Sequence, residues 1–151
     1  MGQNAPGAHG RLTFRYLPDV ALADIAFEAE SDSPGGLFEA CALALTDIMV
    51  DPATLKDSKV REFSLESGDL DRLLYDFLTE LIIAKDVDSL LFREFAVSLD
   101  HEGRTLRAVA RGEPIDRDRH ALRNDVKAVT MHMFGVKRDG ARWTATVVLD
   151  I

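Results

Sequence analysis

Apolar and polar positions alternate along residues 23–30, near the start of the chain. Ile25 and Phe27 fall on one face of this stretch, and Asp24 falls on the other. A period of two predicts a half-buried β-strand with one side against a core. A shorter stretch at residues 13–16 predicts a preceding strand, which ends at a proline.

Apolar residues at helical spacing predict two helices. The first begins with Ser33 as its N-cap and Pro34 at its first position, and it ends before Pro52. The second begins near Asp69 and carries one broad apolar stripe as far as Ile82. Acidic residues in its first turn suit the positive end of the helix dipole.

The rest of the chain is dominated by strand patterns and hairpin turns. They lie at residues 60–65, 90–99, 104–111, 125–136 and 142–151. The order of elements predicts an α+β fold, with two helices packed on one face of a mostly antiparallel or mixed sheet. Residues 1–12 show no such pattern. We therefore expect a disordered N-terminal lead over residues 1–12 and a single domain over residues 13–151.

The composition is that of a globular protein with an acidic surface. Its 151 residues are 46% hydrophobic and 29% charged, and the formal net charge is −8. Domains that hold a nucleic-acid backbone rely on clustered Lys and Arg, so a role in nucleic-acid biology would act through another protein. No apolar run reaches the ~18 residues that span a bilayer, and no signal peptide is evident. We expect a cytoplasmic location.

The single cysteine, Cys41, lies in an apolar segment of the first predicted helix. A lone cysteine excludes an internal disulfide and a thiolate-rich metal site. Its surroundings favour a small buried hydrophobic residue over a reactive thiol.

Two aspartates, Asp24 and Asp150, lie in apolar, strand-like runs at opposite ends of the chain. A carboxylate in such a run is costly unless it has a partner or a cation. Ile151 follows Asp150, and its free carboxylate would add a second negative charge there. An all-oxygen ligand set suits Ca²⁺ or Mg²⁺ better than Zn²⁺. Two solvated aspartates at strand ends are the alternative that the pattern leaves open.

Lys127 opens an otherwise apolar strand pattern. Its ammonium group needs a partner near the sheet end, which a carboxylate cluster would supply, or else it extends to water. Whether Asp51, Glu113, His120 or His132 joins the site depends on the sheet register. Asp51 is expected at a helix end, and the two histidines at most support the site.

Several segments, taken in order, resemble the archease family. They include residues 37–45, 49–52, 69–81 and 90–92, together with Ala23-Asp24-Ile25-Ala26-Phe27-Glu28-Ala29, Gly112-Glu113-Pro114-Ile115-Asp116, Asp118-Arg119-His120, Val126-Lys127-Ala128-Val129-Thr130-Met131-His132 and Val147-Val148-Leu149-Asp150-Ile151. The family usually shows His-Thr-Ala-Asp before the first of these strands. Here the stretch is Asp19-Val20-Ala21-Leu22-Ala23-Asp24, so the aspartate is retained without the histidine and threonine. No role that depends on that histidine carries over.

The resemblance implies a non-catalytic protein cofactor of the GTP-dependent RNA ligase that acts in tRNA splicing and RNA repair. Family members promote guanylylation of the ligase's active-site histidine and restore multiple turnover. Asp24 and Asp150 match the family's metal-site aspartates, with Ile151 supplying a terminal oxygen, and Lys127 matches its functionally required lysine. The implied partner is the ligase, with tRNA involved only indirectly.

Two other functions compete with this one. A chaperone or modulator of a tRNA methyltransferase would act through its apolar and acidic surface. A stand-alone metal-dependent hydrolase would use Asp24 and Asp150 as ligands, but the sequence offers no evident nucleophile or general base.

Overall fold

The computed structural model describes residues 12–18 and 24–151, and this part of the chain forms two α-helices and seven β-strands. The elements are β1 (Leu12–Leu17), β2 (Asp24–Ser31), α1 (Pro34–Met49), a 3₁₀ turn (Pro52–Thr54), β3 (Lys59–Glu66), α2 (Leu70–Asp88), β4 (Leu90–Leu99), β5 (Thr105–Pro114), β6 (Ala128–Asp139) and β7 (Arg142–Asp150). The expected N-terminal lead falls outside the described residues except for Leu12, the first residue of β1. The stretch 19–23, where the family motif departs, also lies outside them.

The strands form two antiparallel sheets. One has the order β1-β2-β7-β6, and the other has the order β3-β5-β4. The predicted α+β class is confirmed, with the strands divided between two sheets instead of one. Strand β7 lies between β2 and β6, so the second and the last strands of the domain pair in the middle of the larger sheet.

Helix α1 lies in the centre of the molecule. It begins as predicted, because the Ser33 hydroxyl accepts a hydrogen bond from the Gly36 amide at 3.1 Å. Its residues are buried nearly all round, since the helix packs against β1, β2 and β7 on one side and β4 on the other. Cys41 is fully buried there, and burial raises the pKa of its thiol. The expected buried cysteine is confirmed.

Helix α2 completes the core with its apolar stripe. Asp69 caps its first turn by accepting a hydrogen bond from the Arg72 amide at 2.8 Å. Phe77 on the buried face stacks on Phe38 of α1 and meets Phe63 of β3 edge-on. The core therefore extends from α1 to the smaller sheet. No helix among the described residues is long and apolar enough to cross a membrane.

Candidate functional site

The two aspartates singled out by the sequence meet at one end of the larger sheet. Asp24 is the first residue of β2 and Asp150 the last of β7, and the antiparallel register places them directly opposite each other. The Cβ atoms of such a pair lie about 4.5–5.5 Å apart. Ala128, the first residue of β6, lies opposite Asp150 on its other side. Three strand ends therefore converge on the acidic pair.

The acidic pair lies on the face of the sheet that points away from α1. Phe27 and its partner Val147 are fully buried on the helix side. Asp24 and Asp150 fall on the opposite face because side chains alternate along a strand, and both residues are half-buried. Like charges directly opposite each other on one sheet face destabilise it. The site therefore has negative charge that no cationic group of residues 12–18 and 24–151 neutralises through an ion pair.

The neighbouring row of the same face holds a polar atom without a partner. Thr130 pairs with Val148, two residues along from Ala128 and Asp150. Its hydroxyl oxygen is buried and has no hydrogen-bond partner in the part of the chain that the structure describes. The two carboxylates of Asp24 and Asp150 are oxygen donors of the kind that hard divalent cations take, together with water. No cluster of three or more His, Cys, Asp or Glu in residues 12–18 and 24–151 provides a fuller ligand set.

Lys127 reaches this site through its backbone. Its amide donates a hydrogen bond of 2.8 Å to the Asp150 carbonyl oxygen, directly before the start of the β6–β7 pairing. Its side chain is exposed, and among the described residues no ion pair joins it to Asp24 or Asp150. The pKa of Asp125 is lowered mainly by its hydrogen bond with Lys85, and the positive charge of Lys127 lowers it a little further. The ammonium group is thus open to solvent, on a residue whose backbone amide bonds to Asp150.

A second cluster of charged groups surrounds Glu113, at the end of β5. The carboxylate is buried and accepts hydrogen bonds from both terminal nitrogens of Arg119, at 2.9 and 2.5 Å. The Lys56 amide and His120 Nε2 each lie 2.7 Å from its Oε2 atom. The Arg119 guanidinium first of all, and then the His120 and Lys56 donors, lower the pKa of Glu113. Glu113 is therefore ionised and fully satisfied by its neighbours.

The hydrogen bonds of His120 define its protonation state. The Asp116 amide donates to Nδ1 at 2.9 Å, so this nitrogen carries a lone pair. The proton must then be on Nε2, where it faces the Glu113 carboxylate. His120 is neutral and fully buried, and it connects Glu113 to the backbone of the β5–β6 connection.

The Archease protein family model matches residues 14–151 of the chain. This chain belongs to the archease family. It is 40% identical to an archease of Methanopyrus kandleri over 131 residues, which cover 85% of this chain and 94% of the relative. It is 40% identical to an archease of Pyrococcus abyssi over 133 residues, covering 85% and 93% of the two chains.

Two solved structures have a fold similar to that of this chain. A Methanobacterium thermoautotrophicum protein determined in solution is 34% identical, with a TM-score of 0.78, over 93% of this chain and 98% of that one. A Thermotoga maritima protein, described as an archease and possible chaperone, is 18% identical with a TM-score of 0.63, over 96% and 100% of the two chains. The second likeness shows the fold alone.

The remaining candidate residues of this archease lie apart from the acidic pair. Asp51 caps the 3₁₀ turn by accepting a hydrogen bond from the Ala53 amide at 3.0 Å, as expected of a helix-end residue. His132 is exposed on a bulge of β6, where residues 131–134 lie opposite the single residue Val147. None of the hydrogen bonds of Glu113 or His120 reaches either aspartate.

Two features were missed by sequence reasoning. The Thr130 hydroxyl, which has no hydrogen-bond partner among the described residues, becomes significant only once the register is known. A surface hollow of about 220 Å³ also opens near the start of β2. Its lining residues are Tyr16, Ile25, Asp47, Ile48, Arg123 and Asn124. Asp47 accepts hydrogen bonds from Tyr16 and Arg123 in this hollow. Because these three residues are far apart in the sequence, no local sequence signal marks the hollow.

Proposed function

We propose that this archease is a non-catalytic, metal-binding cofactor that activates a GTP-dependent RNA ligase in tRNA splicing and RNA repair. In this role it promotes guanylylation of the ligase and supports multiple turnover. The observation that carries the proposal is the direct opposition of Asp24 and Asp150 beside Lys127. These residues occupy the positions that the family resemblance links to ligase activation.

The chemistry of the site suits work on a nucleoside triphosphate. Asp24 and Asp150 would hold Ca²⁺ or Mg²⁺, which supplies positive charge for phosphate oxygens when bound. Ile151, half-buried and next to Asp150, would add oxygen ligands. The exposed ammonium of Lys127 would contact an anionic group of the ligase complex. Catalysis of phosphoryl transfer depends mainly on such positioning and charge stabilisation.

The charge of the chain supports a protein partner over direct binding to RNA. A net charge of −8 repels a phosphate backbone but allows approach to a metal-containing ligase active site. The tRNA would then be reached only indirectly, through the ligase. This role keeps the cytoplasmic location expected from the sequence.

Single-turnover guanylylation of the cognate RNA ligase tests this function. Wild-type protein should accelerate the step, and Asp24→Ala, Asp150→Ala and Lys127→Ala should each abolish the acceleration while the fold stays intact. Glu62→Ala is the matched control, because Glu62 is an exposed carboxylate on β3, in the other sheet. Retained acceleration in all three site variants would refute the assigned site. No acceleration by the wild type would refute the function.

The second candidate is a chaperone or modulator of a tRNA methyltransferase. It is favoured by the bulge of β6, where Met131 and Met133 are 61% and 52% exposed. Methionines are common at adaptable binding surfaces. This function predicts protection of the methyltransferase from thermal aggregation that survives Asp150→Ala and is lost when both methionines are replaced by serine.

A further inference from the structure

We propose that Glu113 is a positioning residue for the acidic site. By holding Arg119 and His120, it fixes the β5–β6 connection, residues 115–127, so that the Lys127 amide meets the Asp150 carbonyl. The consequence for ligase activation rests on the proposed function, whereas the positioning itself rests on the contacts of this chain alone.

The connection is held first at its β5 end. Every hydrogen-bond contact of the Glu113 carboxylate is a donor: two from Arg119, one from His120 and one from the Lys56 amide. Since His120 Nδ1 is occupied by the Asp116 amide, its ring cannot exchange donor for acceptor. The cluster therefore accepts only an ionised carboxylate at this position. Glutamine has the same shape, but its side-chain NH₂ group would face one of these donors and could not accept a hydrogen bond from it.

The connection then runs along the C-terminal end of α1. The Arg123 and Asn124 amides donate to the carbonyls of Met49 and Ile48, at 2.8 and 3.1 Å. The Ala121 carbonyl accepts a hydrogen bond of 2.8 Å from the Asp51 amide. These bonds satisfy backbone groups that a helix end leaves without intrahelical partners. The segment that follows Arg119 and His120 is thus fixed to the most buried helix of the fold.

The last contact of the connection is at the acidic site. Val126 is fully buried, and the next residue, Lys127, donates its amide to the Asp150 carbonyl at 2.8 Å. Contacts therefore run from Glu113 through the connection to Asp150, one of the two aspartates of the acidic pair. A connection of this length without a helix or strand needs such fixed points to place its end accurately.

A purely structural role for Glu113 makes a different prediction. A clamp that only stabilised the whole fold would change the hydrogen exchange of all slowly exchanging amides together. A positioning role changes the exchange of the Lys127 amide first, because local opening of residues 115–127 exposes it without unfolding the β2–β7 ladder. Amide exchange resolved by residue separates the two roles.

The experiment measures amide exchange in the full chain for wild type, Glu113→Gln and Val97→Ala. Glu113→Gln should accelerate exchange at Lys127 at least about tenfold relative to the β2–β7 ladder amides, because a charge-assisted pair with Arg119 is lost. Val97→Ala is the matched control, since it removes buried methyl groups of β4, away from the connection. It should not accelerate Lys127 relative to that ladder.

A milder variant covers the case in which Glu113→Gln does not fold. Arg119→Lys keeps the positive charge and loses the two-pronged contact, so it should accelerate Lys127 exchange by a smaller factor. Unchanged relative exchange at Lys127 in every folded variant overturns the proposal. Because no ligase is present, this result does not depend on the proposed function. Faster exchange in a protein that does not activate the ligase would uphold the positioning role and refute the function.

Discussion

Replacing Asp150 with asparagine tests whether the acidic pair awaits a cation. The Asp24 and Asp150 carboxylates are directly opposite each other, half-buried and without a cationic partner among the described residues. Cross-strand pairs change the stability of a sheet by about 0.2–1 kcal/mol, and like charges directly opposite each other lower it. Asp150→Asn keeps the shape and removes one charge. In the metal-free protein it should therefore raise the free energy of unfolding by that amount.

With a bound cation the order of stability should reverse. A ligand present at about 100 times its Kd stabilises the folded state by about 2.7 kcal/mol. For a domain of this size, each kcal/mol shifts Tm by about 2–4 °C, so the wild type should gain roughly 5–11 °C. Asp150→Asn loses one of two carboxylate ligands and should gain much less. The variant is then the more stable protein in chelator and the less stable one in excess cation.

Thermal unfolding followed by circular dichroism, in chelator and in increasing Ca²⁺ or Mg²⁺, measures both effects. Glu62→Gln makes the same change in net charge on an exposed part of β3 and should melt like the wild type in both conditions. The reasoning is refuted if Asp150→Asn melts below the wild type in chelator and still shows the full cation shift. A reduced shift in Glu62→Gln would assign the effect to general screening of charge.

Three further predictions concern the rest of the fold. Arg119 holds the pKa of Glu113 well below its usual 4.5, so the wild type should lose free energy of unfolding as the pH falls below 4.5. Glu113→Gln should lose less. Urea titrations above and below pH 4.5 measure both losses. Cys41 is fully buried and its thiol pKa is raised, so Ellman's reagent should label it only in denaturant. Gly112→Ala would place a Cβ atom 1.8 Å from the Leu91 carbonyl oxygen and should lower the free energy of unfolding by more than about 4 kcal/mol, measured with denaturant. At Gly68 an added Cβ atom meets nothing within 4 Å, so Gly68→Ala should fold normally.

The helices and strands follow from local patterns, and most of them could be predicted. The start of α1 is set by Ser33 and Pro34, two adjacent residues whose effects need no distant partner. The start of β6 was predicted at Asp125 but lies at Ala128. Residues 125–127 instead bond to α2 and to the end of β7: Asp125 accepts a hydrogen bond from Lys85, and the Lys127 amide reaches Asp150. Such contacts have no periodicity.

The division into two sheets was not predictable from strand patterns alone. Alternation shows that a strand has a buried face, but it does not show what lies on that face. One sign was present in α1, whose apolar residues surround the helix instead of forming one stripe. A helix of this kind must be covered on all sides, which a single sheet cannot do. The spacing of apolar residues by itself predicts only a helix packed on one sheet.

The candidate site, like the fold, could be predicted only where neighbouring residues carry the signal. Asp24 and Asp150 stand out because each interrupts an apolar run, and this signal needs only the neighbouring residues. Their opposition depends on the pairing of β2 with β7, two strands far apart in the sequence, which no local pattern encodes. The bulge of β6 left no signal either, because its left-handed residue is Met133 and not a glycine.

The two carboxylate clusters differ in how the fold treats their charge, and this difference separates structure from function. Glu113 is buried, but an arginine fork and two further donors neutralise it, so it needs nothing from outside the chain. Asp24 and Asp150 oppose each other without a cation among the described residues to relieve them. A fold selected only for stability would place an opposite charge or a neutral side chain at one of these two positions. The cost is explained if the pair acts with a cation or partner that the chain itself does not contain.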